Sequence, residues 1–196
     1  DIPAIQGQVL QAVKEGEEVS PEVQREYRGG IGKLLHLMRW SRPDVWNAVR
    51  ECARRMTSSC ETHRKAMLRI MKYCLDTSSR GWILKPNRKW DGKTQDVEFE
   101  LTGEADSNYA TCTDTRRSVS GIVVKLENTV IAVKSGMQKV VALSTTEAET
   151  IAIVQCVQEL LYVMKLIESL KLKVRKPMLV YTDNKGAVDL FNGWSI

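Results

Sequence analysis

Between residues 96 and 170 the spacing of apolar side chains changes from every second position to every third or fourth, and this switch restricts the fold more than any other feature. "DVEFELTGEAD" alternates strictly: Val97, Phe99 and Leu101 share one face, Glu98, Glu100 and Thr102 the other. A half-buried strand has that pattern. "SVSGIVVKL" and "TVIAVKS" are β-branched runs separated by Glu127 and Asn128, which predicts a hairpin. Residues 145–170 return to helical spacing, and a short apolar strand, "PMLVYTD", and a helix starting near Asn184 follow. The order strand, strand, strand, helix, strand, helix predicts an α/β domain, with a mixed sheet flanked by helices.

Upstream the texture is helical. Leu34, Leu35 and Met38 keep helical spacing in a first helix, whose front half Gly29, Gly30 and Gly32 weaken. "SRPD" stops and restarts the chain, with Pro43 suited to a first turn and Asp44 to the positive end of a helix. Val45, Val49, Cys52 and Met56 mark a second helix, and Met67, Ile70, Met71, Cys74 and Leu75 a third. Met38, Met56, Met67 and Met71 read as core filling, and Trp40, Trp46, Trp82 and Trp90 as packing anchors. "WDGK" suggests a further hairpin. The expected organisation is a loose polar arm over residues 1–20, a helical region over 21–80, and the α/β domain over 95–196, with the boundary near 80–95.

Hydrophobic content of 43% with 27% charged residues excludes a disordered chain. No apolar run is read as a membrane span, so no membrane partner is expected. The five cysteines are scattered without a C-x-x-C pair beside only two histidines, which argues against zinc or a disulfide framework and for a reducing compartment. A net charge of +5 favours a polyanionic partner. The start at Asp1 rather than Met suggests a fragment.

"STTEAET" carries two glutamates two positions apart at the start of the long helix, on nearly opposite faces. Ser144 and Glu147 have capping-box spacing, with Ser144 as N-cap and Glu147 reaching back from N3. Glu147 shares a wet stripe with Gln158 and Lys165. Glu149 instead lines up with Ile153, Cys156, Leu160 and Ile167, on the apolar stripe. A buried carboxylate needs compensation, by the helix dipole or by a cation. Asp106 at the end of the first strand and Asp183 at the end of the fourth can converge with it on a divalent ion. Each also has a plain structural use, Asp106 on a solvated strand face and Asp183 at a helix start.

The run "LTGEADSNYATCTDTRRSVSGIVVKLENTVIAVKSGMQKVVALSTTEAETIA" resembles the ribonuclease H domain of copia-type retrotransposon Pol polyproteins. Residues 106–109, 116–121 and 145–149, the stretch "SGMQKVVALS" and Asp183 with Asn184 carry the likeness in order. "YRGGIGKLLHLMRWSRPDVWNAV" and "HRKAMLRIMKYCLDTSSRGWIL" resemble the segment between polymerase and ribonuclease H in the same polyproteins, a reverse transcriptase thumb or connection. The resemblance implies a ribonuclease-H-like mixed sheet behind a small all-helical region. It also implies hydrolysis of the RNA strand of an RNA–DNA hybrid by two Mg²⁺ or Mn²⁺ ions, with Asp106, Glu149 and Asp183 as catalytic metal ligands. Asn108, Tyr109 and Thr150 stand where the family has Asp, Trp and an aromatic residue. The family continues into a segment with a His and a further carboxylate, so turnover by residues 1–196 alone is in question. The rival reading is a binding module of the same fold that holds hybrid without cutting it; an integrase or resolvase core fits "STTEAE" poorly.

For the hybrid, Arg116 and Arg117 in a turn near Asp106 are candidate backbone contacts. Tyr109, Ser120 and Asn184 are candidate sugar contacts. The helical region adds Arg50, Arg54, Arg55, Arg64, Lys65, Arg69 and Lys72, with Arg54 and Arg69 as candidate phosphate contacts or, equally, as parts of a solvated face. His36 and His63 read as helical residues remote from the chemistry. The implied partners are the hybrid and the polymerase region of the same polyprotein, in the cytoplasm, a virus-like particle or the nucleus, not in a secreted setting.

Overall fold

The computed structural model describes every residue except 1, 6, 89, 94–96 and 194–196. The chain forms two compact units, residues 1–82 and 83–196.

In the first unit, α1 (Pro21–Trp40), a 3-10 turn (Pro43–Val45), α2 (Trp46–Ala53) and α3 (Glu61–Asp76) enclose one core. Ser20 caps α1 by accepting the Val23 N–H, and Pro21 occupies the first turn, where its missing N–H costs nothing. Tyr27, Ile31, Leu34 and Met38 recur at helical spacing and are buried against Val49, Met67 and Ile70. α1 runs unbroken through its three glycines, and one of them has a packing use. At Gly30 an added Cβ would collide with Met67 Sδ, so the absent side chain lets α1 and α3 approach closely.

Two expectations fail in this unit. The segment expected as a loose arm is tied down at two described points: Leu10 is buried, its carbonyl accepting from Arg55 Nε at 3.0 Å, and the Val19 N–H donates to the Ser59 carbonyl at 3.0 Å. Trp40 is no packing anchor, being 70% exposed just where α1 ends. Leu75 is likewise exposed, and Tyr73 takes the core position on α3 instead.

The second unit is α/β. A four-stranded sheet has the order β4 (Thr129–Met137), β3 (Val119–Leu126), β2 (Leu101–Asn108), β6 (Leu179–Tyr181). β2–β3 and β3–β4 are antiparallel, and β2–β6 is parallel. The long alternating strand is broken at Glu100. Its first part, β1 (Glu98–Phe99), pairs in parallel with β5 (Lys173–Val174), a strand too short to register as periodicity. Glu127 and Asn128 form the expected two-residue turn, with φ of 47° and 61° matching the twist of the flanking strands. The Glu127 carboxylate folds back to accept the Glu100 N–H at 2.9 Å, at the break between β1 and β2. At "WDGK", Gly92 has φ of 76° and Asp91 accepts the Lys93 N–H, a turn, but the described residues beside it form no strands.

α4 (Thr145–Ser169) lies across β2 and β3, and α5 (Lys185–Asn192) ends the described chain. Ala152, Ile153, Cys156, Leu160 and Ile167 bury one stripe of α4 against Leu101, Ala105, Ile122 and Val124. Gly103 makes that contact close, since a Cβ there would meet Cys156 Sγ. By length and apolar content α4 could cross a membrane, contrary to the expectation that no stretch reaches that length. One stripe of it packs on the sheet, while Val154, Leu161, Tyr162 and Leu166 are exposed.

Candidate metal centre

Three elements each bring one carboxylate to the same edge of the sheet. β2 and β6 run in parallel with Glu104 opposite Tyr181, so their C-terminal ends open together, and α4 begins there. Asp106 lies near the end of β2, Asp183 follows β6, and Glu149 stands in the first turns of α4. One oxygen from each lies within 4.8 Å of the others. Asp106 and Asp183 are exposed, whereas Glu149 is 6% exposed.

The burial of Glu149 is compensated on one side only. Its Oε1 accepts from the Ser107 amide at 3.1 Å and the Ser107 hydroxyl at 2.8 Å. Its Oε2 is buried with no hydrogen-bond partner. A carboxylate oxygen left this way costs several kcal/mol unless a positive group meets it. An all-oxygen donor set with two exposed members and one buried orphan suits a hard divalent cation. A Mg²⁺ or Mn²⁺ ion therefore fits the residues present.

Glu147 is exposed and serves the helix end. Its N–H donates to Ser144 Oγ at 3.1 Å, as a capping box requires. Its carboxylate, however, accepts from the Leu143 N–H at 2.7 Å, one residue earlier than the N-cap. The opposite faces argued from spacing are thus the opposite environments seen, with Gln158 and Lys165 exposed beside Glu147 and Ile153 and Cys156 buried beside Glu149.

The nucleic-acid candidates divide. Arg116 and Arg117 are exposed in the turn between β2 and β3, where Arg116 has φ of 56°. Tyr109 is partly exposed and donates to the Leu143 carbonyl at 3.2 Å. Asn184 caps α5, its Oδ1 accepting the Ala187 N–H at 2.8 Å. Ser120 cannot touch a sugar: it is 2% exposed and its hydroxyl accepts from Gln138 Nε2. It lies in β3, within the run "SVSGIVVKL" whose composition predicts a strand, and shares the phase of Ile122 and Val124, which pack against α4.

The basic helical face is also reduced. Arg50 and Arg54 both pair with Glu51, and Arg55 is buried at the Leu10 carbonyl. Arg64 lies near Glu26 and Glu61, and Lys72 pairs with Asp76. Arg54, a candidate phosphate contact, is thus engaged in an ion pair with Glu51 at 3.1 Å. Arg69 remains exposed, beside Lys72 and Tyr73 in a shallow cavity of about 280 Å³. His63 is 2% exposed, accepting the Cys60 N–H at Nδ1, so Nε2 carries the proton donated to the Gln11 carbonyl at 3.0 Å. Burial holds its imidazole below the ordinary pKa, against the opposing effect of that hydrogen bond.

Sequence spacing missed Ser107 and Gln138. Ser107 sits next to Asp106 on the opposite phase of the strand, which is the only signal it carries. Gln138 is a polar residue buried among the ends of β3, β4 and α4.

No protein-family model and no solved structure matches the chain. Among curated proteins, the retrovirus-related Pol polyprotein from transposon RE1 of Arabidopsis thaliana is 32% identical over 165 residues, 84% of this chain and 11% of that protein. The Pol polyprotein from transposon TNT 1-94 of Nicotiana tabacum is 30% identical over 164 residues, 84% of this chain and 12% of its own length. Secreted RxLR effector protein 161 of Plasmopara viticola is 32% identical over 133 residues, 68% of this chain and 87% of that protein. The chain thus spans little more than a tenth of the Pol polyproteins it matches.

Proposed function

Because this chain belongs to the family of retrovirus-related Pol polyproteins of copia-like transposons, we propose that its second unit is a ribonuclease-H-like domain that hydrolyses the RNA strand of RNA–DNA hybrids. The observation that carries this reading is the convergence of Asp106, Glu149 and Asp183, with Glu149 buried and one of its oxygens left without a hydrogen-bond partner. The sheet order β4-β3-β2-β6, antiparallel but for its last pair, supports the fold assignment.

Two Mg²⁺ or Mn²⁺ ions, held by these carboxylates, would supply water activation and stabilisation of the leaving oxygen. The chain's own residues divide the remaining work. Ser107 fixes the Glu149 carboxylate by two hydrogen bonds to Oε1, which holds its orientation within the cluster. Asp106 and Asp183 stay open to solvent, where a phosphodiester can approach. Arg116 and Arg117, exposed between β2 and β3, offer salt-sensitive contacts to the backbone. Tyr109 and Asn184 flank the cluster in sequence and can address the 2′-hydroxyls that distinguish RNA from DNA. The partners under this reading are the hybrid and the polymerase region of the same polyprotein. The setting is the cytoplasm, a virus-like particle or the nucleus.

A second reading, a module that grips hybrid without cutting it, draws on a specific feature: the cluster holds three carboxylates among the described residues, with Asn108 rather than an aspartate beside them. Incubating labelled hybrid with the chain and Mn²⁺ separates the two. Cleavage that survives Glu147→Gln and is lost in Glu149→Gln supports the nuclease. Binding without cleavage supports the module, and equal loss from both substitutions removes the assigned roles.

A further inference from the structure

Gln138 follows β4 directly and is 1% exposed. Its backbone N–H donates to the Ser118 carbonyl at 2.8 Å, which fixes it at the end of the β3–β4 ladder. Its side-chain amide donates to Ser120 Oγ at 3.0 Å and to the Ala148 carbonyl at 2.8 Å. A carbonyl only accepts, so the NH₂ must face Ala148 and the amide oxygen must face away. That oxygen, Oε1, is buried with no partner.

A buried amide with an unmet acceptor is unfavourable, and an apolar side chain of the same length would avoid the penalty. The amide gives what an apolar side chain lacks, a directional tie from the sheet to the first turn of α4. Ala148 immediately precedes Glu149, so the tie holds the backbone from which Glu149 projects. Ser120, the other recipient, lies opposite Ser107 in the β2–β3 register. Ser107 holds the Glu149 carboxylate itself. Gln138 and Ser107 therefore grip Glu149 at its two ends, the main chain and the carboxylate.

We propose that Gln138 is a positioning residue for the carboxylate cluster: its amide sets how the first turn of α4 sits on β3, and so how near the Glu149 carboxylate comes to Asp106 and Asp183. The function of the tie rests on the metal-binding reading above; its mechanical part does not. Gln138→Met in the full chain keeps length and burial but removes both donors. Val124→Ala, in the same core but away from the cluster, controls for general loss of stability. Both are compared with wild type at a temperature where circular dichroism shows all three folded.

Mn²⁺ uptake is read by the electron paramagnetic resonance of the free ion, and hydrogen exchange at the first turn of α4 is read without metal. The expected result for Gln138→Met is Mn²⁺ affinity weakened about tenfold, as for a lost outer-shell contact, with faster exchange at Ala148 and its neighbours. Val124→Ala is expected to change neither. Wild-type Mn²⁺ affinity in Gln138→Met, or equal weakening in both variants, overturns the proposal. If wild type takes up no Mn²⁺, the metal reading fails by itself. In that case faster exchange confined to Gln138→Met still supports the tie, and unchanged exchange overturns it.

Discussion

Ser107 gives both of its donors to one oxygen of Glu149, the amide at 3.1 Å and the hydroxyl at 2.8 Å, and leaves the second oxygen buried and without a hydrogen-bond partner. The asymmetry makes the two halves of the carboxylate different chemical groups. Oε1 is anchored to the strand that carries Asp106, while Oε2 is buried without a hydrogen-bond partner.

Ser107→Ala removes the hydroxyl donor and keeps the amide. The expected effect is Mn²⁺ affinity weakened by about tenfold, the scale of an outer-shell contact to a ligand. Isothermal titration with Mn²⁺ checks it; unchanged affinity would mean that the amide alone orients the carboxylate.

Glu147→Ala tests the opposite role of its neighbour. The loss of its bond to the Leu143 N–H should lower the stability of the second unit by about 1 kcal/mol, as for other helix caps, with Mn²⁺ affinity intact. Urea unfolding beside metal titration measures both at once.

Gly103→Ala puts a Cβ where β2 meets Cys156 Sγ and Leu160, both fully buried. Overpacking of this sort costs about 1–3 kcal/mol. The expected outcome is a lower unfolding midpoint for the second unit, relieved in part by the double substitution with Cys156→Ala.

Binding to hybrid should depend on the exposed turn rather than on Arg54. Removing Arg116 and Arg117 together is expected to weaken binding and to reduce the slope of log affinity against log salt by about 1–2, since each phosphate contact contributes roughly 0.9. Arg54→Ala, which breaks a pair with Glu51, should leave that slope unchanged. Fluorescence anisotropy over a salt series reads both slopes.

The helical unit should lose stability as the solution is acidified through the range below the free imidazole value of about 6.5. His63 is held neutral in the fold, chiefly by burial, so its folded pKa lies lower and the unfolded chain binds the extra proton first. Its contribution is complete above the unfolded pKa and is lost as pH falls through the folded one. Urea midpoints measured between pH 7.5 and 5 should fall for wild type and flatten for His63→Gln.

Much of this was legible because periodicity reports burial. The two faces of the α4 stripe follow from 3.6 residues per turn, and the separate environments of Glu147 and Glu149 follow from their spacing alone. The hairpin turn at Glu127 and Asn128 was legible because two β-branched runs flank a two-residue polar gap, although the positive φ at Glu127 was not. The break at Glu100, the β1–β5 pair and the packing of residues 10–19 onto the helices left no periodic trace, because each depends on one or two long-range hydrogen bonds.

The sequence by itself determined the α/β pattern of the second unit, the inward face of Glu149 and the likeness to transposon Pol polyproteins, all of which are properties of local spacing and residue order. Tertiary structure alone decided that Ser120 is buried, that Arg54 is spent on Glu51, and that Ser107 and Gln138 support the cluster. Those outcomes turn on which strand end meets which helix end in space, and a hydrogen bond across 42 residues leaves no mark on the spacing of either segment.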